Sequence, residues 1–582
     1  MLFRGLFFSA VCAFSLELLA AEVTDEAACK QIYGHLLIHD PISAIVDAKA
    51  FLEERPESKP IRLALIRSLC EKGNETEAWE EWQRTILLFP DVQTDRRMLE
   101  VLAWGVLNKG ENSTQLSICI NSLLGAAFTQ DARAVPLLLD QLRSTNAMIR
   151  SVAVRLSSVY GDGPLQEEIF RMLKTENVWY VRLELIQASG QMRLHKARPI
   201  LKEIIGNPKT LAEEKAAAIV ALVSMYDTIA LQELKSLAHS DRAGLRQLAC
   251  EIVGHLDFKL GVAEIVPLLK DTSPEVRMAA LSAFGIMRVR EVGGIDVVSL
   301  IANNLNDSAP EVQITAGWVV LLSGDKKGEE ILEKWMLSDE EWLRRLASAA
   351  VSVSGKYGVK LASRVLKKSE DPYVKANLSL GLIGQREHVS LACDTLYSAF
   401  FQEQDVMWMW DNQINPLFRS LSPSKVSHVE HIPHYPMVVD QLVRLDLLSI
   451  LSIVRYPKAQ NAVKMFLQNQ TWGVTGSAAA TLIQEGDEES FGIVRDLLDD
   501  PEEKIRIQAA LILALLGGDP AAVKVLQESY PHVEREMKVH ILEALAHVGD
   551  PQTIPFLMEI IKEPFQVLRV VAASALIQCL YH

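Results

Sequence analysis

The sequence lacks the long apolar segments, the excess of basic residues and the paired cysteines that mark several protein classes. Beyond the N-terminal stretch, no run of about 18 uninterrupted apolar residues occurs, so no later segment is expected to span a bilayer as a helix. Lys and Arg total 59 against 74 Asp and Glu, and the net charge of −15 argues against a general affinity for DNA, RNA or anionic lipid. With only 30 Gly and 23 Pro among 582 residues and 49% apolar residues, the chain can bury a large core.

Cysteine motifs and common catalytic motifs are also missing. The seven cysteines stand singly, with no C-x-x-C, at Cys12, Cys29, Cys70, Cys119, Cys250, Cys393 and Cys579. We interpret those beyond the N-terminal stretch as small buried apolar residues. No G-x-x-x-x-G-K-[ST], H-E-x-x-H or G-x-S-x-G motif occurs, and we predict no catalytic residue, cofactor or metal.

Residues 1–21 are predicted to be a secretory signal peptide. Arg4 precedes an apolar run over 6–16, and two small residues, Ala20 and Ala21, follow. Glu17, and a leucine three positions before either cleavage point, depart from the usual pattern. The alternatives are an uncleaved anchor or an apolar first helix. The expected location is therefore periplasmic or extracellular, with the cytoplasm as the alternative.

A period of 34 residues is present near the N-terminus. Two small residues, a bulky residue and a proline (Ala44, Ala48, Phe51 and Pro56) are followed 34 residues later by Ala78, Trp82, Thr85 and Pro90. Between them, 61–72 has apolar residues at helical spacing and ends at Gly73. The stretch 24–110 resembles tetratricopeptide repeats, although Arg62 stands where that family prefers Trp. The resemblance implies antiparallel helix pairs.

A shorter period runs through the rest of the chain. An apolar–basic step recurs at Arg150, Arg182, Arg246, Arg277, Arg344, Lys375, Arg444, Arg506, Lys538 and Arg569. Lys215, Gln313 and Thr475 keep the place with one feature lost. The intervals are 31 to 36 residues, with one gap of 69 between Lys375 and Arg444.

One unit illustrates the pattern. Residues 262–270 have apolar residues at helical spacing with Pro267 as a predicted kink, and 271–275 form a turn in which Ser273 is the expected N-cap. Val276, Ala279, Ala280 and Phe284 then line one face of a second helix, and Gly285 is small where that helix ends or crowds a neighbour.

These units resemble HEAT repeats, in particular the short HEAT-like type of phycobilin lyases. The resemblance implies an all-α fold, an α-solenoid of stacked antiparallel helix pairs. The predicted organisation is a signal peptide over 1–21, tetratricopeptide-like repeats over 22–110 and a HEAT-like solenoid over 111–582, with an irregular segment at about 389–437.

The repeated arginines are interpreted as structural, with a ligand-binding stripe as the alternative. An acid stands six residues before several of them: Asp271 before Arg277, Asp500 before Arg506 and Glu176 before Arg182. In similar repeats such acid–base pairs form a ladder that joins neighbouring turns. The residues predicted to form it are Arg150, Arg182, Arg246, Asp271, Arg277, Arg344, Asp500, Arg506 and Arg569.

The irregular segment contains the candidate partner-binding residues. Met407, Trp408, Trp410 and Tyr435 offer large and adaptable contact area. The alternative is that the consecutive bulky residues fill the junction between irregular units.

A group of metal-ligand residue types lies in the same irregular segment. It comprises His428, Glu430, His431 and His434, interrupted by Pro433. The proline prevents a continuous helix, so we favour a polar loop over a metal site.

The hypothesis favoured for function is an exported, non-enzymatic scaffold that binds a protein partner through an extended solenoid surface. A further hypothesis is a structural factor, associated peripherally with the cell envelope, that acts in assembly or transport at the cell surface. The alternative is a HEAT-like enzyme, as in bilin lyases, deoxyhypusine hydroxylase or alkylpurine DNA glycosylases. No tetrapyrrole pocket is marked, no His-Glu dipeptide occurs, and the acidic charge balance disfavours a DNA groove.

Overall fold

A computed structural model describes residues 24–161, 163–292, 294–402, 407–411, 415–423, 440, 443–444, 446–447, 450–451, 453–458, 492 and 494–581. The predicted signal peptide, Tyr435 and the histidine group lie outside these residues. Within them, no helix combines the length and apolarity needed to cross a membrane.

Among the described residues, nearly all the regular elements are helices, so the all-α prediction is confirmed. The first half contains α1 (Asp25–Leu37), α2 (Pro41–Glu54), α3 (Lys59–Glu71), α4 (Glu75–Leu88), α5 (Arg96–Glu111), α6 (Leu116–Phe128), α7 (Ala134–Leu142), α8 (Ala147–Ser157), α9 (Gly163–Thr175), α10 (Trp179–Gln191), α11 (Arg198–Gly206), α12 (Ala212–Ser224), α13 (Leu231–Ala238), α14 (Ala243–His255), α15 (Val262–Ile265) and α16 (Pro274–Met287). The second half contains α17 (Val297–Ala302), α18 (Pro310–Leu322), α19 (Lys326–Met336), α20 (Glu341–Ser352), α21 (Val359–Leu366), α22 (Pro372–Gly384), α23 (Val389–Gln402), α24 (Glu503–Gly517), α25 (Ala521–Ser529), α26 (Arg535–Val548), α27 (Ile554–Ile560) and α28 (Gln566–Tyr581).

Short 3-10 turns connect many of these helices. They are Pro90–Thr94, His195–Ala197, Lys259–Gly261, Val266–Lys270, Asn303–Asn306, Gly355–Tyr357, Leu497–Asp499, Tyr530–His532 and Pro551–Thr553. Several continue a first helix of a repeat, which keeps that helix short and brings the chain back quickly towards the second helix.

Contacts divide the described residues into two compact units, one within 24–137 together with 545–581 and the other within 138–544. In the first unit, α2 packs on α3, and α3 packs on α4 and α5. The small residues of the 34-residue period lie in this core, with Ala44 and Ala48 fully buried and Trp82 1% exposed. The helix pairs expected here are present, whereas their tetratricopeptide type stays a prediction.

The last helix of the chain belongs to this first unit. Helix α28 packs against α5 and α6. Glycines permit the close approach, since a Cβ on Gly110 would lie 2.9 Å from Val570 Cγ2 and one on Gly125 would lie 3.0 Å from Ser574 Cβ. The Ser574 hydroxyl also donates a hydrogen bond to the Gly125 carbonyl at 3.0 Å. The C-terminal helix therefore completes a core that the N-terminal helices begin.

The second unit repeats one arrangement of paired helices. Each second helix contacts the second helix of the next pair, from α8 through α10, α12, α14, α16, α18 and α20 to α22. In the unit formed by residues 262–287, Val276, Ala280 and Phe284 are fully buried as predicted. The first helix becomes a 3-10 turn from Val266, the residue before Pro267, because proline cannot donate the α-helical hydrogen bond.

The N-cap of that second helix differs in detail from the expectation. Ser273 occupies the cap position but its hydroxyl does not bond the helix backbone. It donates instead to Glu275 Oε2 at 2.5 Å. The backbone N–H of Ser273 donates to Asp271 Oδ1 at 2.9 Å, so the aspartate organises the turn.

Two short antiparallel hairpins interrupt the helices, which the sequence patterns did not predict. Strand β1 (Glu291–Val292) pairs with β2 (Ile295–Asp296). Strand β3 (Trp408–Asp411) pairs with β4 (Ser420–Pro423), with Trp408 opposite Pro423 and Trp410 opposite Leu421. We refer to residues 407–411 and 415–423 as the inserted hairpin, because they lie where the period breaks.

Candidate functional site

The repeated arginine joins two consecutive turns of the array. Arg277 Nη1 donates to the backbone carbonyl of Asp271, six residues earlier, at 2.7 Å. Its Nε and Nη2 donate to both carboxylate oxygens of Asp307 in the next turn, at 2.8 and 2.7 Å. The acid six residues back thus serves through its carbonyl, and the carboxylate partner comes from the following unit.

The other ladder residues repeat this geometry. The ion pairs are Arg150 with Glu176, Arg182 with Glu214, Arg246 with Asp271 and Arg344 with Asp371, with N–O distances of 2.9, 2.7, 2.6 and 3.2 Å. Arg506 donates to the backbone carbonyl of Asp500, and Arg569 to that of Glu563, each six residues earlier and at 2.9 Å. Arg569 also pairs with Glu75 at 2.7 Å.

These contacts lower the pKa of two ladder carboxyls, Asp271 and Asp307. Burial alone would raise the pKa of Asp271, but hydrogen bonds from Arg246 and from the Ser273 N–H outweigh it and lower that pKa. The pKa of Asp307 is lowered in the same way, against burial, by Arg277 and the Ala309 N–H. Both carboxylates are therefore held charged by structural partners.

One step of the ladder is neutral on both sides. Gln313 replaces the arginine and donates to the Asp307 carbonyl at 2.6 Å. In the next turn Ser338 stands where the acid would be. The Ser338 hydroxyl accepts from the Glu340 N–H at 3.2 Å, as Asp307 Oδ1 accepts from the Ala309 N–H at 2.9 Å. Loss of the cation and loss of the anion thus occur together.

Four consecutive second helices present a stripe of buried polar residues. The polar stripe consists of Ser282 on α16, Thr315 on α18, Ser348 on α20 and Asn377 on α22, spaced 33, 33 and 29 residues apart. The inserted hairpin lies against these helices, with β4 in contact with α20 and α22. The Asn415 side-chain amide reaches Ser282 Oγ at 3.2 Å and Thr315 Oγ1 at 3.4 Å.

Asn377 holds the backbone of the hairpin. Its Oδ1 accepts from the Leu421 N–H at 2.7 Å, and its Nδ2 contacts the Leu421 carbonyl at 3.4 Å. The same Nδ2 donates to Ser348 Oγ at 3.0 Å, which orients the amide. Leu421 itself is fully buried, so one asparagine fixes both polar backbone groups of a residue that is inserted among the helices.

A pair of aromatic rings anchors the middle of segment 415–423 to the helices. Phe418 is 1% exposed, and its ring meets the Trp318 ring edge-to-face with centroids 5.3 Å apart. The Trp318 indole in turn covers Gly285, where a Cβ would come within 2.1 Å of the ring. Gly285 therefore crowds a neighbour, as the sequence suggested, and the glycine makes room for the indole that receives Phe418.

The predicted partner-binding residues occupy different environments. Trp408 is 1% exposed, and its ring contacts the Tyr373 ring in a tilted arrangement with centroids 4.8 Å apart, so in this conformation it offers no contact area to a partner. Met407 is 43% exposed, and its carbonyl accepts from the Tyr373 hydroxyl at 2.9 Å. Trp410 is half-buried and donates to Asp446 at 2.9 Å. A partner-binding role for these residues stays a prediction.

The polar stripe was not identified from the sequence. Its signal was a small polar residue recurring in the middle of successive second helices, which is visible once the period is aligned. No metal-ligand cluster of three or more His, Cys, Asp or Glu side chains lies within the described part of the chain.

Models of the HEAT repeat match residues 262–287 and 493–577. Together with the stacked helix pairs and the repeated arginine, they decide the architecture. The chain is a HEAT-repeat α-solenoid protein. An uncharacterized phycocyanin operon protein Y of Pseudanabaena tenuis is 23% identical over 165 residues, which is 28% of this chain and 36% of that protein.

Two solved structures are among those to which the chain is similar. The myosin chaperone UNC-45 from C. elegans, in complex with an Hsp90 peptide, is 13% identical with a TM-score of 0.31 over 96% of this chain and 81% of that chain. Kap121p bound to Nup53p is 11% identical with a TM-score of 0.33 over 95% and 72%. Neither likeness extends to partners or sites.

Proposed function

We propose that this HEAT-repeat protein is an exported scaffold that binds a protein partner along its second-helix face and catalyses no reaction. The observation that carries the proposal is the polar stripe together with segment 415–423 of the inserted hairpin, which packs on it. In it, the second helices of four repeats hold a turn at 415–418 and the short strand β4 through side-chain hydrogen bonds and an aromatic contact.

The charged groups of the array support a binding role over a catalytic one. A general acid or base needs a titratable group that faces a substrate. The ladder side chains instead bridge neighbouring turns. Arg277 donates hydrogen bonds to the Asp271 carbonyl and to the Asp307 carboxylate. Arg246 donates to both carboxylate oxygens of Asp271. The pairs also lower the pKa of the Asp271 and Asp307 carboxyls, against the effect of burial.

The export component rests on the sequence of residues 1–21. Fractionation of the full chain carrying a tag after His582 tests it, with a variant lacking residues 2–21 as the matched control. We expect the full chain outside the cytoplasm with a new N-terminus after Ala20 or Ala21, and the deletion variant in the cytoplasm. A cytoplasmic full chain that retains Met1 would contradict export.

The partner is tested by crosslinking and affinity purification from native membranes and periplasm. We expect the tagged full chain to retain one protein reproducibly and in a fixed ratio. Absorbance spectra and metal analysis of the same preparation test the non-catalytic component. A stoichiometric metal or a bound chromophore would contradict that component, and repeated recovery of no protein would contradict the scaffold.

A further inference from the structure

We propose that segment 415–423, a turn followed by strand β4, is a tethered ligand of this chain, and that the protein partner binds by inserting a segment of the same shape and chemistry in its place. The inference rests on the scaffold function proposed above and names its surface. The observation is that the polar stripe of four repeats, Ser282, Thr315, Ser348 and Asn377, is covered by a segment that follows α23 instead of by another repeat.

The main contact, between the Asn377 side chain and residue 421, involves only backbone groups of the segment. Asn377 accepts from the N–H of Leu421 and contacts its carbonyl, and both groups exist at every residue except proline, which has no N–H. Such a contact accepts any extended chain in which one residue presents both groups to the amide. A segment from another protein therefore satisfies Asn377 as well as Leu421 does.

Three side chains of the segment supply the selectivity. Asn415, Phe418 and Leu421 are spaced by three residues, and all three are buried against the second helices. Asn415 bonds two hydroxyls of the stripe, and Phe418 meets the Trp318 ring. The partner segment is thus expected to present a carboxamide, an aromatic ring and an aliphatic side chain at successive intervals of three residues.

The tethered segment does not satisfy every polar atom that it covers. Among the described residues, Trp318 Nε1 and Ser422 Oγ are buried without a hydrogen-bond partner. Unpaired buried polar groups oppose binding, because their contacts with water are lost without replacement. A partner segment that places a hydrogen-bond acceptor beside Trp318 Nε1 would therefore bind more tightly than an untethered segment with the sequence of 415–423.

The decisive experiment uses a fluorescein-labelled peptide with the sequence of residues 415–423 and the full chain. The variant Phe418→Ala/Leu421→Ala weakens the tethered copy and leaves the stripe unchanged. By fluorescence anisotropy, we expect this variant to bind the peptide about 100-fold more tightly than the unaltered chain, in which the tethered copy competes at a high effective concentration. Adding Asn377→Ala should weaken binding about ten-fold, as expected for loss of its backbone hydrogen bonds.

The matched control peptide has alanine at the positions of Asn415, Phe418 and Leu421 and should not bind. Circular dichroism verifies that each variant is folded. A second measurement needs no variant: hydrogen exchange of residues 415–423 in the unaltered chain should increase when the unlabelled peptide is added in excess. A folded double variant that binds neither peptide, together with unchanged exchange, would overturn the inference.

Partner capture separates this inference from the scaffold function. If Asn377→Ala leaves capture of the partner by the full chain unchanged, the partner binds elsewhere and the tethered-ligand inference fails while the scaffold function stands. If the peptide binds as expected but no protein is captured, binding of the peptide at the polar stripe is supported and the scaffold function fails.

Discussion

The guanidinium of Arg569 lies 2.7 Å from Glu75 Oε1, although 494 residues separate the two along the chain. Lys109 Nζ donates to the same oxygen at 2.8 Å, so the carboxylate is shared by two cations. Because α28 also contacts α5 and α6 through Gly110 and Gly125, the final ladder arginine acts within the same unit as the N-terminal helices.

We expect Gly110→Ala to destabilise this contact. The new Cβ would lie 2.9 Å from Val570 Cγ2 and 3.0 Å from Ser122 Cβ, and neither side chain can move far in the core. Overpacking of about 1–3 kcal/mol exceeds the helix-propensity gain of about 1 kcal/mol, so the free energy of unfolding should fall by about 1 kcal/mol. Urea titration followed by circular dichroism measures the change, and limited proteolysis should release α28 more readily.

Gly34→Ala is the matched control, since Gly34 is also helical and no atom would lie within 4 Å of its Cβ. It should raise the free energy of unfolding by about 0.4–1 kcal/mol. Equal effects of the two substitutions would show that α28 does not pack on Gly110.

The ladder predicts a compensating pair of substitutions. Arg277→Gln keeps a donor for the Asp271 carbonyl but leaves the Asp307 carboxylate, 9% exposed, without its cation. We expect the free energy of unfolding to fall by about 3 kcal/mol. Adding Asp307→Ser copies the neutral step formed by Gln313 and Ser338 and should recover part of the loss.

Thermal and urea unfolding of the single and double variants measure this coupling. The control is Lys524→Ala, which removes a pair with Glu528 whose side chains are 82% and 66% exposed. Its cost should be about 0–1 kcal/mol. A double variant that is less stable than Arg277→Gln would contradict the role assigned to the pair.

The repeat period was readable from the sequence, but the ladder partners were not. Spacing placed Asp271 six residues before Arg277, and a six-residue interval within one turn suggested that these two side chains pair. The fold shows that Arg277 reaches the Asp271 carbonyl and that its carboxylate partner, Asp307, is 30 residues ahead. Such a partner depends on how neighbouring units stack, which no interval along the chain specifies.

The inserted hairpin was beyond sequence reasoning for a related reason. The broken period locates the irregular segment and its bulky residues. Its strands are only four residues long. Phe418 contacts Trp318, which is 100 residues earlier in the chain, and Leu421 is held by Asn377, which is 44 residues earlier. Burial of Trp408 likewise depends on Tyr373, a residue of an earlier repeat.

Stability should decrease in acid partly through Glu168. Hydrogen bonds from Arg171 and Arg143, opposed by burial, lower the pKa of this carboxyl to about 2 from its usual value of 4.5. Because the folded pKa lies below the unfolded one, the unfolded chain binds the proton first, and the contribution is present above pH 4.5 and lost towards pH 2. Glu168→Gln should flatten this part of the profile of unfolding free energy against pH.

Glu251→Gln is the control with the opposite sign. Burial raises the pKa of Glu251, so its charged form opposes folding above the unfolded pKa. The glutamine variant should therefore be more stable than the unaltered chain at neutral pH. A loss of stability at neutral pH in this variant, or an unchanged acid profile in Glu168→Gln, would contradict the assignment.

Thiol reactivity should report folding, because the six cysteines of the described ranges are free and five are buried. Burial raises the pKa of Cys393 to about 11 and that of Cys579 to about 12, so few thiolates exist at pH 8. Cys29 is only partly buried, with its pKa raised less. Labelling with Ellman's reagent at pH 8 should therefore modify Cys29 first and the five buried thiols only in denaturant.

Mass spectrometry identifies the labelled peptide, and Cys29→Ser should remove that early labelling. Early modification of Cys70 or Cys250 in the folded chain would show that the repeats open far more readily than their complete burial predicts.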